Sequence, residues 1–238
     1  MKKFFALILI LLVILLALLN FVLPGTVANI LEEQIINATA AQQVSVNLSA
    51  NPNARIALGE IDSLHATASK GNIGEVEFQN LTLDGSKIRL DVLELLFPNK
   101  DLSAQERTRR ILRHADKIEM RGVITEDKLK DYISKKDAHF ENPKIKITPQ
   151  EISAQARVKI LGRTVDLDVA GNFTVSNGDV FFHMTRLDSN SILRRVNIDF
   201  FLNDVKLLDS SSLPIGLKFD SVELRDGEAV LTATTSVQ

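Results

Sequence analysis

The hydropathy pattern of the chain starts with one long apolar block. Residues 4–23 read FFALILILLVILLALLNFVL, carry no charge and follow Lys2 and Lys3. A helix rises 1.5 Å per residue, so a block of about 20 residues can cross the roughly 30 Å hydrocarbon core of a bilayer. The two lysines predict that the chain after the block leaves the cytoplasm. We therefore expect residues 1–24 to form a transmembrane signal anchor and residues 25–238 to form one extracytoplasmic domain, with a cleaved signal peptide as the alternative.

After the block, the pattern changes between helical and strand periods. Apolar residues recur at helical spacing over 26–43, which predicts an amphipathic helix. From Val44 onward apolar and polar residues alternate, which is typical of half-buried strands. One predicted strand contains Ile56, Leu58, Ile61 and Leu64, with Gly59 as a candidate bulge, and a later one contains Ile88, Leu90, Val92 and Leu93. A second helix is predicted over 125–136, where TEDKLKDYISKK starts with acidic residues and ends with basic ones.

Three dipeptides that favour tight turns separate the predicted strands: Asp84-Gly85, Asn177-Gly178 and Asp226-Gly227. The basic and polar segment 102–113 predicts a short helix or an ordered loop, and the apolar stretch 192–208 has a helical pattern at its start. The sum is a long meander of antiparallel strands with a few helices, so the predicted fold class is α+β.

Composition and charge narrow the classes of function. The 28 basic residues include Lys2 and Lys3, so the part after the block carries 26 basic against 30 acidic residues and no global attraction for nucleic acid. The chain has no cysteine, which excludes disulfides, thiolate metal sites and a lipid-modified N-terminal cysteine. With no Trp and one Tyr, an aromatic platform for sugars or bases is not expected.

The sequence offers little catalytic chemistry. Its four histidines stand singly, and it contains no G-x-S-x-G elbow and no glycine-rich phosphate loop. Asp166 and Asp168 fall on one face of a predicted strand, where alternation with apolar neighbours indicates solvent rather than a carboxylate pair. We therefore predict that the protein is not an enzyme and needs no cofactor and no metal. A lipid hydrolase that uses Asp166 or His183 is the weakest alternative.

The densest basic cluster lies within the segment 102–113. On a helix, Arg109, Arg110 and Arg113 would share a face that meets lipid phosphates at a membrane surface. A solvated helix face is the other interpretation of the same pattern.

Several motifs together resemble the bacterial LmeA-type phospholipid-binding family. They are V-S-V-N-L-S after the first helix, G-E-I-D-S-L, F-Q-N-L-T-L-D-G, V-I-T-E-D-K-L-K-D-Y-I, and the closing stretch LPIGLKFDSVELRDG from Leu213 to Gly227. The resemblance covers roughly Ile30 to Thr234. It implies a curved antiparallel sheet wrapped on a long helix, as in tubular lipid-binding folds, with an apolar groove for acyl chains.

The resulting hypothesis is a non-catalytic, membrane-anchored envelope protein that binds the acyl chains of a phospholipid or another two-chain lipid. Burying each CH₂ group contributes about 0.8 kcal/mol, so such a lipid can be held without a charged site. Bulky residues on the expected inward faces are the candidate groove wall: Phe78, Leu81, Leu83, Leu129, Tyr132, Phe173, Phe181, Phe200, Phe201, Leu217 and Phe219. Phe181 and Phe182 point to opposite faces of one strand, so only one of them can line the groove. The alternative from another class is a structural or interaction module that holds no lipid and docks envelope partners at its sheet edges.

Overall fold

The computed structural model describes residues 20–97, 110–136, 140–160, 163–189 and 204–235, together with positions 17, 18, 99, 101, 102 and 106. The α-helices within these residues are α1 (Leu23–Thr39), α2 (Val92–Leu96) and α3 (Glu126–Lys136). The strands are β1 (Gln43–Ser49), β2 (Glu60–Ile73), β3 (Val76–Leu90), β4 (Leu112–His114), β5 (Lys117–Thr125), β6 (Phe140–Ile147), β7 (Ile152–Ile160), β8 (Arg163–Ser176), β9 (Asp179–Ser189), β10 (Val205–Leu208), β11 (Leu217–Arg225) and β12 (Glu228–Thr235). Short 3-10 helices span Asn53–Leu58, Ser210–Ser212 and Pro214–Gly216. The predicted α+β class is confirmed, because antiparallel strands dominate and a few helices accompany them.

The described residues divide into two compact units. The first unit contains the chain up to residue 68 together with 82–119, and the second contains 69–81 together with the chain from 120 to 235. The long strands β2 and β3 contribute residues to both units. The single extracytoplasmic domain expected from the sequence stays a prediction.

Helix α1 opens the first unit and continues directly from the apolar block. Positions 17, 18, 20 and 21 are helical. The Val22 N–H donates to the carbonyl oxygen of Leu18 at 2.9 Å, and the Thr26 N–H donates to that of Val22 at 3.2 Å. Pro24 lies in the first turn of α1, where its missing N–H costs no hydrogen bond. The hydrogen bond from Thr26 to Val22, the N-cap residue of α1, therefore spans Pro24.

The predicted anchor is mostly outside the described residues. Positions 4–16 and Leu19 are not described, so a membrane-spanning helix stays a prediction. Among the helices that the structure does describe, none combines the length and the apolar character needed to cross a bilayer. At its other end α1 stops at Thr39, earlier than the predicted helix over 26–43, because Ala40 adopts a left-handed φ of 52°.

The buried side of α1 packs on the sheet of the first unit. Val27 joins a cluster that contains Ile56 and Leu95, and Ala28 joins Val46 in a second cluster. In this unit β1, β2 and β3 are neighbours in that order, and β4 pairs with β3. The start of α1 is thus fixed against the 3-10 helix that precedes β2 and against α2.

The hairpin turn predicted at Asp84-Gly85 is wrong. Strand β3 runs through both residues, and the turn between β2 and β3 lies at Gly74-Glu75. A type I′ turn needs positive φ at both central residues, and neither Asp84 nor Gly85 has it. Gly85 instead provides space, since a Cβ added there would lie 2.6 Å from Cδ1 of Ile88.

The strand predicted through Ile56 and Leu58 is also wrong. These residues form a 3-10 helix, and Gly59 ends it with a φ of 79° while its N–H bonds to the Ile56 carbonyl oxygen at 2.9 Å. Gly59 is therefore a helix end rather than a β-bulge. Beyond β3 the chain forms the short helix α2, whose N-cap residue Asp91 accepts two backbone N–H groups at 3.1 Å.

The second unit combines α3 with antiparallel strands. Its five-stranded sheet has the order β10-β9-β8-β7-β6, and β5, β12 and β11 are neighbours in that order. The predicted helix over 125–136 is confirmed as α3. The turns at Asn177-Gly178 and Asp226-Gly227 are confirmed as the links between β8 and β9 and between β11 and β12. The helical start expected for 192–208 lies outside the described residues, and the end of that stretch is strand β10.

Candidate functional site

Five of the predicted wall residues are buried within the second unit. They are Phe78 and Leu81 on β3, Leu129 on α3, and Leu217 and Phe219 on β11. The Phe78 ring lies against Gly122 of β5, where an added Cβ would come within 2.5 Å of the ring. Protein atoms therefore already cover these five side chains.

Hydrogen bonds near the N-terminus of α3 join this helix to the neighbouring strands and turn. The Ile147 N–H donates to Oε1 of Glu126 at 2.8 Å, and the Gly227 N–H donates to the Ile147 carbonyl oxygen at 3.0 Å. Two residues further along α3, Lys128 Nζ lies 2.6 Å from Oε1 of Glu77. These contacts fix α3 against the β11–β12 turn, the end of β6 and the start of β3.

Tyr132 is the aromatic residue of α3 that was predicted to line the groove. Its side chain is half-buried, and Nζ of Lys136 lies 5.8 Å from the ring centroid. Lys136 also pairs with Glu75, and this hydrogen bond raises the pKa of the lysine. Tyr132 therefore keeps accessible apolar surface beside a fixed positive charge.

The two phenylalanines of the β8–β9 hairpin that were predicted to line the groove, Phe173 and Phe181, lie on opposite faces of the sheet. Phe173 is opposite Phe182 in the register, and their rings meet edge to face with centroids 6.1 Å apart. Phe181 is opposite Thr174, so it lies on the other face, where Nζ of Lys206 is 5.9 Å from its ring centroid. Phe173 and Phe181 therefore cannot line the same wall.

Phe182 is the residue that the sequence analysis left out of its wall. The sequence nevertheless identifies it. A two-residue turn at Asn177-Gly178 fixes the register of the hairpin, so cross-strand pairs can be found by counting outward from the turn. This count places Phe173 opposite Phe182. Both rings are half-buried, and their face also carries the fully buried Val180. This is the inner face of the hairpin.

Strand β11 meets the turn of the same hairpin. The Phe219 N–H donates to the carbonyl oxygen of Gly178 at 3.1 Å. A Cβ added to Gly178 would lie 2.9 Å from Cβ of Lys218, so the two backbones approach closely. The second unit therefore brings the end of the hairpin that carries Phe173 and Phe182 beside the strand that carries Leu217 and Phe219.

The remaining wall residues do not join this group in the described part of the chain. Leu83 lies in the first unit, packed against the cluster of Ala28 and Val46. Phe200 and Phe201 lie outside the described residues.

The basic cluster does not form the expected helix face. Arg113 lies on β4 and Arg110 precedes that strand in a helical turn, while Arg109 is outside the described residues. Arg113 Nη2 lies 2.6 Å from Oδ2 of Asp91, and Arg110 Nη1 lies 3.7 Å from Oε1 of Glu94. The hydrogen bond from Arg113 lowers the pKa of Asp91, with help from the backbone N–H of Glu94. Both arginines therefore flank helix α2.

Four large apolar side chains near α2 are exposed, and the sequence analysis did not single them out. We call Leu58, Leu93, Leu96 and Phe97 the apolar rim. The sequence pattern assigns Leu58 and Leu93 to half-buried strands. The 3-10 helix and α2 replace those strands and turn these residues outward.

A polar depression of about 420 Å³ lies elsewhere on the first unit. Its charged side chains pair with one another: Arg55 with Glu60 at 2.7 Å and with Asp62 at 3.2 Å, and Lys87 with Asp116 at 3.0 Å. Because these charges pair within the depression, the arrangement supports a structural role better than a binding role.

Asp166 and Asp168, considered above as a carboxylate pair, lie on β8 opposite Arg157 and Gln155 of β7. Asp168 accepts a hydrogen bond from Gln155, its neighbour across β7 and β8, at 2.9 Å. His183 lies opposite Asn172 and pairs with Asp204 at 2.7 Å, both half exposed. Among the described residues, no three His, Asp or Glu side chains lie close enough to hold a metal ion. The expectation of a protein without metal or catalysis stays a prediction.

Comparison with known families supports the resemblance drawn from the motifs. A family model described as LmeA-like phospholipid-binding matches residues 18–234, nearly the whole chain. No curated protein and no solved structure matches the chain.

Proposed function

We propose, since the chain belongs to the LmeA-like phospholipid-binding family, that it is a non-catalytic protein that binds the acyl chains of a phospholipid in an apolar groove. Its role is lipid transfer or homeostasis in the cell envelope. The observation that carries the proposal is the family match over residues 18–234, which supports phospholipid binding.

The groove of this proposal lies in the second unit, on the inner face of the β8–β9 hairpin and along α3. Phe173, Phe182 and Tyr132 are half-buried. Part of each ring is therefore still accessible and can be covered by an acyl chain. Phe78 and Leu217 belong to the buried core of the same unit and have no such surface to offer. Each acyl CH₂ that enters such a groove contributes about 0.8 kcal/mol, so binding needs no charged contact.

The proposal places the protein at the outer side of the cell membrane. Residues 4–23 supply an uncharged segment of spanning length, and Lys2 and Lys3 keep its start in the cytoplasm. A curved sheet wrapped on helices, as in tubular lipid-binding folds, is the architecture expected for such a groove.

Native mass spectrometry of the full chain, released from membranes in detergent, tests the lipid. We expect adducts with the mass of a two-chain phospholipid. Phe182→Asp should reduce the adducts at least severalfold, because a carboxylate on the inner face must be desolvated beside the acyl chain. Thr174→Asp, on the outer face of the same hairpin, is the matched control and should leave the adducts unchanged.

The same measurement decides between the proposal and its rival. If the chain carries no lipid and both variants have the clean mass of the apoprotein, it is a structural or interaction module of the envelope. If Phe181→Asp removes the lipid while Phe182→Asp does not, the groove lies on the opposite face of the hairpin.

A further inference from the structure

We propose that the apolar rim of the first unit, formed by Leu58, Leu93, Leu96 and Phe97, inserts into the surface of the bilayer that holds the N-terminal segment. This inference rests on the anchor of the proposed function and adds a second membrane contact to it.

The first argument is the way α2 presents its side chains. Leu95 is buried in the cluster with Val27 and Ile56, which fixes the rotation of this one-turn helix. Leu93, Leu96 and Phe97 are consequently turned outward, with 72%, 44% and 76% of their surface exposed. Contiguous exposed apolar residues of this size mark an interaction surface, whereas singly scattered ones are ordinary.

Leu58 is held beside α2 by the backbone. The Leu90 N–H, two residues before α2, donates to the carbonyl oxygen of Gly59 at 2.8 Å. The approach is so close that a Cβ on Gly59 would lie 1.9 Å from the Leu90 carbonyl oxygen. Leu58, which is 75% exposed, therefore belongs to the same surface as α2.

The second argument is where the apolar block enters the first unit. The side-chain amide of Asn53, in the 3-10 helix that ends at Leu58, donates to the carbonyl oxygen of Asn20 at 3.3 Å. Leu23, the last residue of the block, and Val27 both belong to α1, so they lie only about 6 Å apart along the helix axis. Val27 belongs to the same buried cluster as Leu95 of α2. A bilayer around the block therefore has its surface at the level of the rim.

The third argument is charge. The two acids of the α2 segment, Asp91 and Glu94, are paired with Arg113 and Arg110. Without these arginines the acids would be repelled by anionic headgroups. With them, the segment is neutral, and the half-exposed guanidinium groups lie where lipid phosphates would be.

A tryptophan scan tests the contact, because the natural chain has no tryptophan. The full chain with Phe97→Trp is reconstituted into vesicles made of equal parts of phosphatidylcholine and phosphatidylglycerol whose acyl chains are brominated near the headgroup. We expect its fluorescence to fall about twofold or more relative to unbrominated vesicles. Leu58→Trp is the second probe of the rim and should behave alike.

Ile36→Trp is the matched control. Ile36 is also an exposed large apolar residue of the first unit, but it lies about 20 Å along α1 from Leu23. Its fluorescence should be unaffected by bromine. Equal quenching at Phe97→Trp and Ile36→Trp, or none at either rim probe, overturns the inference.

Two further outcomes separate this inference from the proposed function. The emission maximum of the rim tryptophans could instead move to shorter wavelength without quenching by bromine. If that shift depends on protein concentration, a second copy of the chain covers the rim and the inference is wrong. If the chain does not float with the vesicles, the anchor fails and the rim contact fails with it. Lipid adducts in native mass spectrometry report on the groove independently of both results.

Discussion

The two units differ in which large apolar side chains they leave uncovered, although each has a buried core. In the second unit, Phe78 and Leu217 are completely covered by neighbouring protein atoms. In the first unit, Leu58, Leu93 and Phe97 are mostly exposed although equally apolar. The comparison teaches that apolar content alone does not indicate a lipid contact. What matters is how much of each side chain the fold leaves uncovered.

The largest expected effect is the loss of a covered ring. Phe78→Ala should lower the free energy of unfolding by about 3–5 kcal/mol, because it removes a buried ring and leaves a cavity beside Gly122. Phe97→Ala should change it by less than about 0.5 kcal/mol, because the ring is exposed. Urea denaturation of the full chain in detergent micelles measures both. If the two variants lose equal stability, the contrast between the units is wrong.

A smaller effect is expected where a glycine allows two backbones to meet. Gly59 and Gly227 have nearly the same φ, 79° and 80°, but an added Cβ meets the Leu90 carbonyl oxygen at 1.9 Å in the first case and nothing within 4 Å in the second. Gly227→Ala should therefore cost about 1–2 kcal/mol from the left-handed conformation alone. Gly59→Ala should cost about 1–3 kcal/mol more, because the carbonyl must move.

The same denaturation experiment checks the glycine pair. A second measurement is rim fluorescence, since a displaced Leu90 also displaces α2. Equal costs for Gly59→Ala and Gly227→Ala would mean that the close approach to Leu90 does not hold the rim in place.

The smallest effect is expected at two aspartates that cap helices, one in each unit. Asp209 caps a 3-10 helix of the second unit, and the backbone N–H of Ser211 is the main cause that lowers its pKa to about 2. Asp91 caps α2, and Arg113 is the main cause of its lowered pKa. A carboxylate whose pKa is lowered in the folded state stabilises the fold at pH values above its ordinary pKa, which is near 4. This contribution is lost as the pH falls through the pKa of the folded state.

For Asp209 this window lies between about pH 4 and pH 2. Asp209→Asn keeps a capping side chain but removes the titration, so unfolding of this variant should depend less on pH within that window. Carboxyl carbon NMR of the unsubstituted chain should show both aspartates titrating below their usual range. An unchanged pH dependence for Asp209→Asn would show that the cap contributes no charge-dependent stability.

The sequence predicted those features that depend on neighbouring residues only. Asn177-Gly178 forms its turn because both residues tolerate positive φ, and α3 begins and ends where its acidic and basic residues indicate. Asp84-Gly85 has the same local preference but stays in β3. A dipeptide favours a turn without enforcing one, and here the strand continues to Leu90, which is held by the Gly59 carbonyl oxygen.

The candidate surfaces were harder to predict, because exposure depends on tertiary packing. The alternation of Ile56 and Leu58 fits a strand as well as a short helix. The structure has the short helix, which ends at Gly59 where the backbone meets Leu90. Phe182 could have been identified by counting across the turn. The exposure of Leu93 and Phe97 could not be predicted in this way, since it depends on Leu95 joining the buried cluster that contains Val27 and Ile56.

The short spacing between the apolar block and the core of the first unit has a mechanical consequence. Val27 is buried in that unit and lies only four residues after Leu23 in α1. Each residue inserted between them would rotate the first unit by about 100° about the helix axis relative to Leu23 and move it by about 1.5 Å. If the proposed anchor holds Leu23 at the membrane, the spacing of this stretch, more than its composition, would set which side of the first unit faces the lipid.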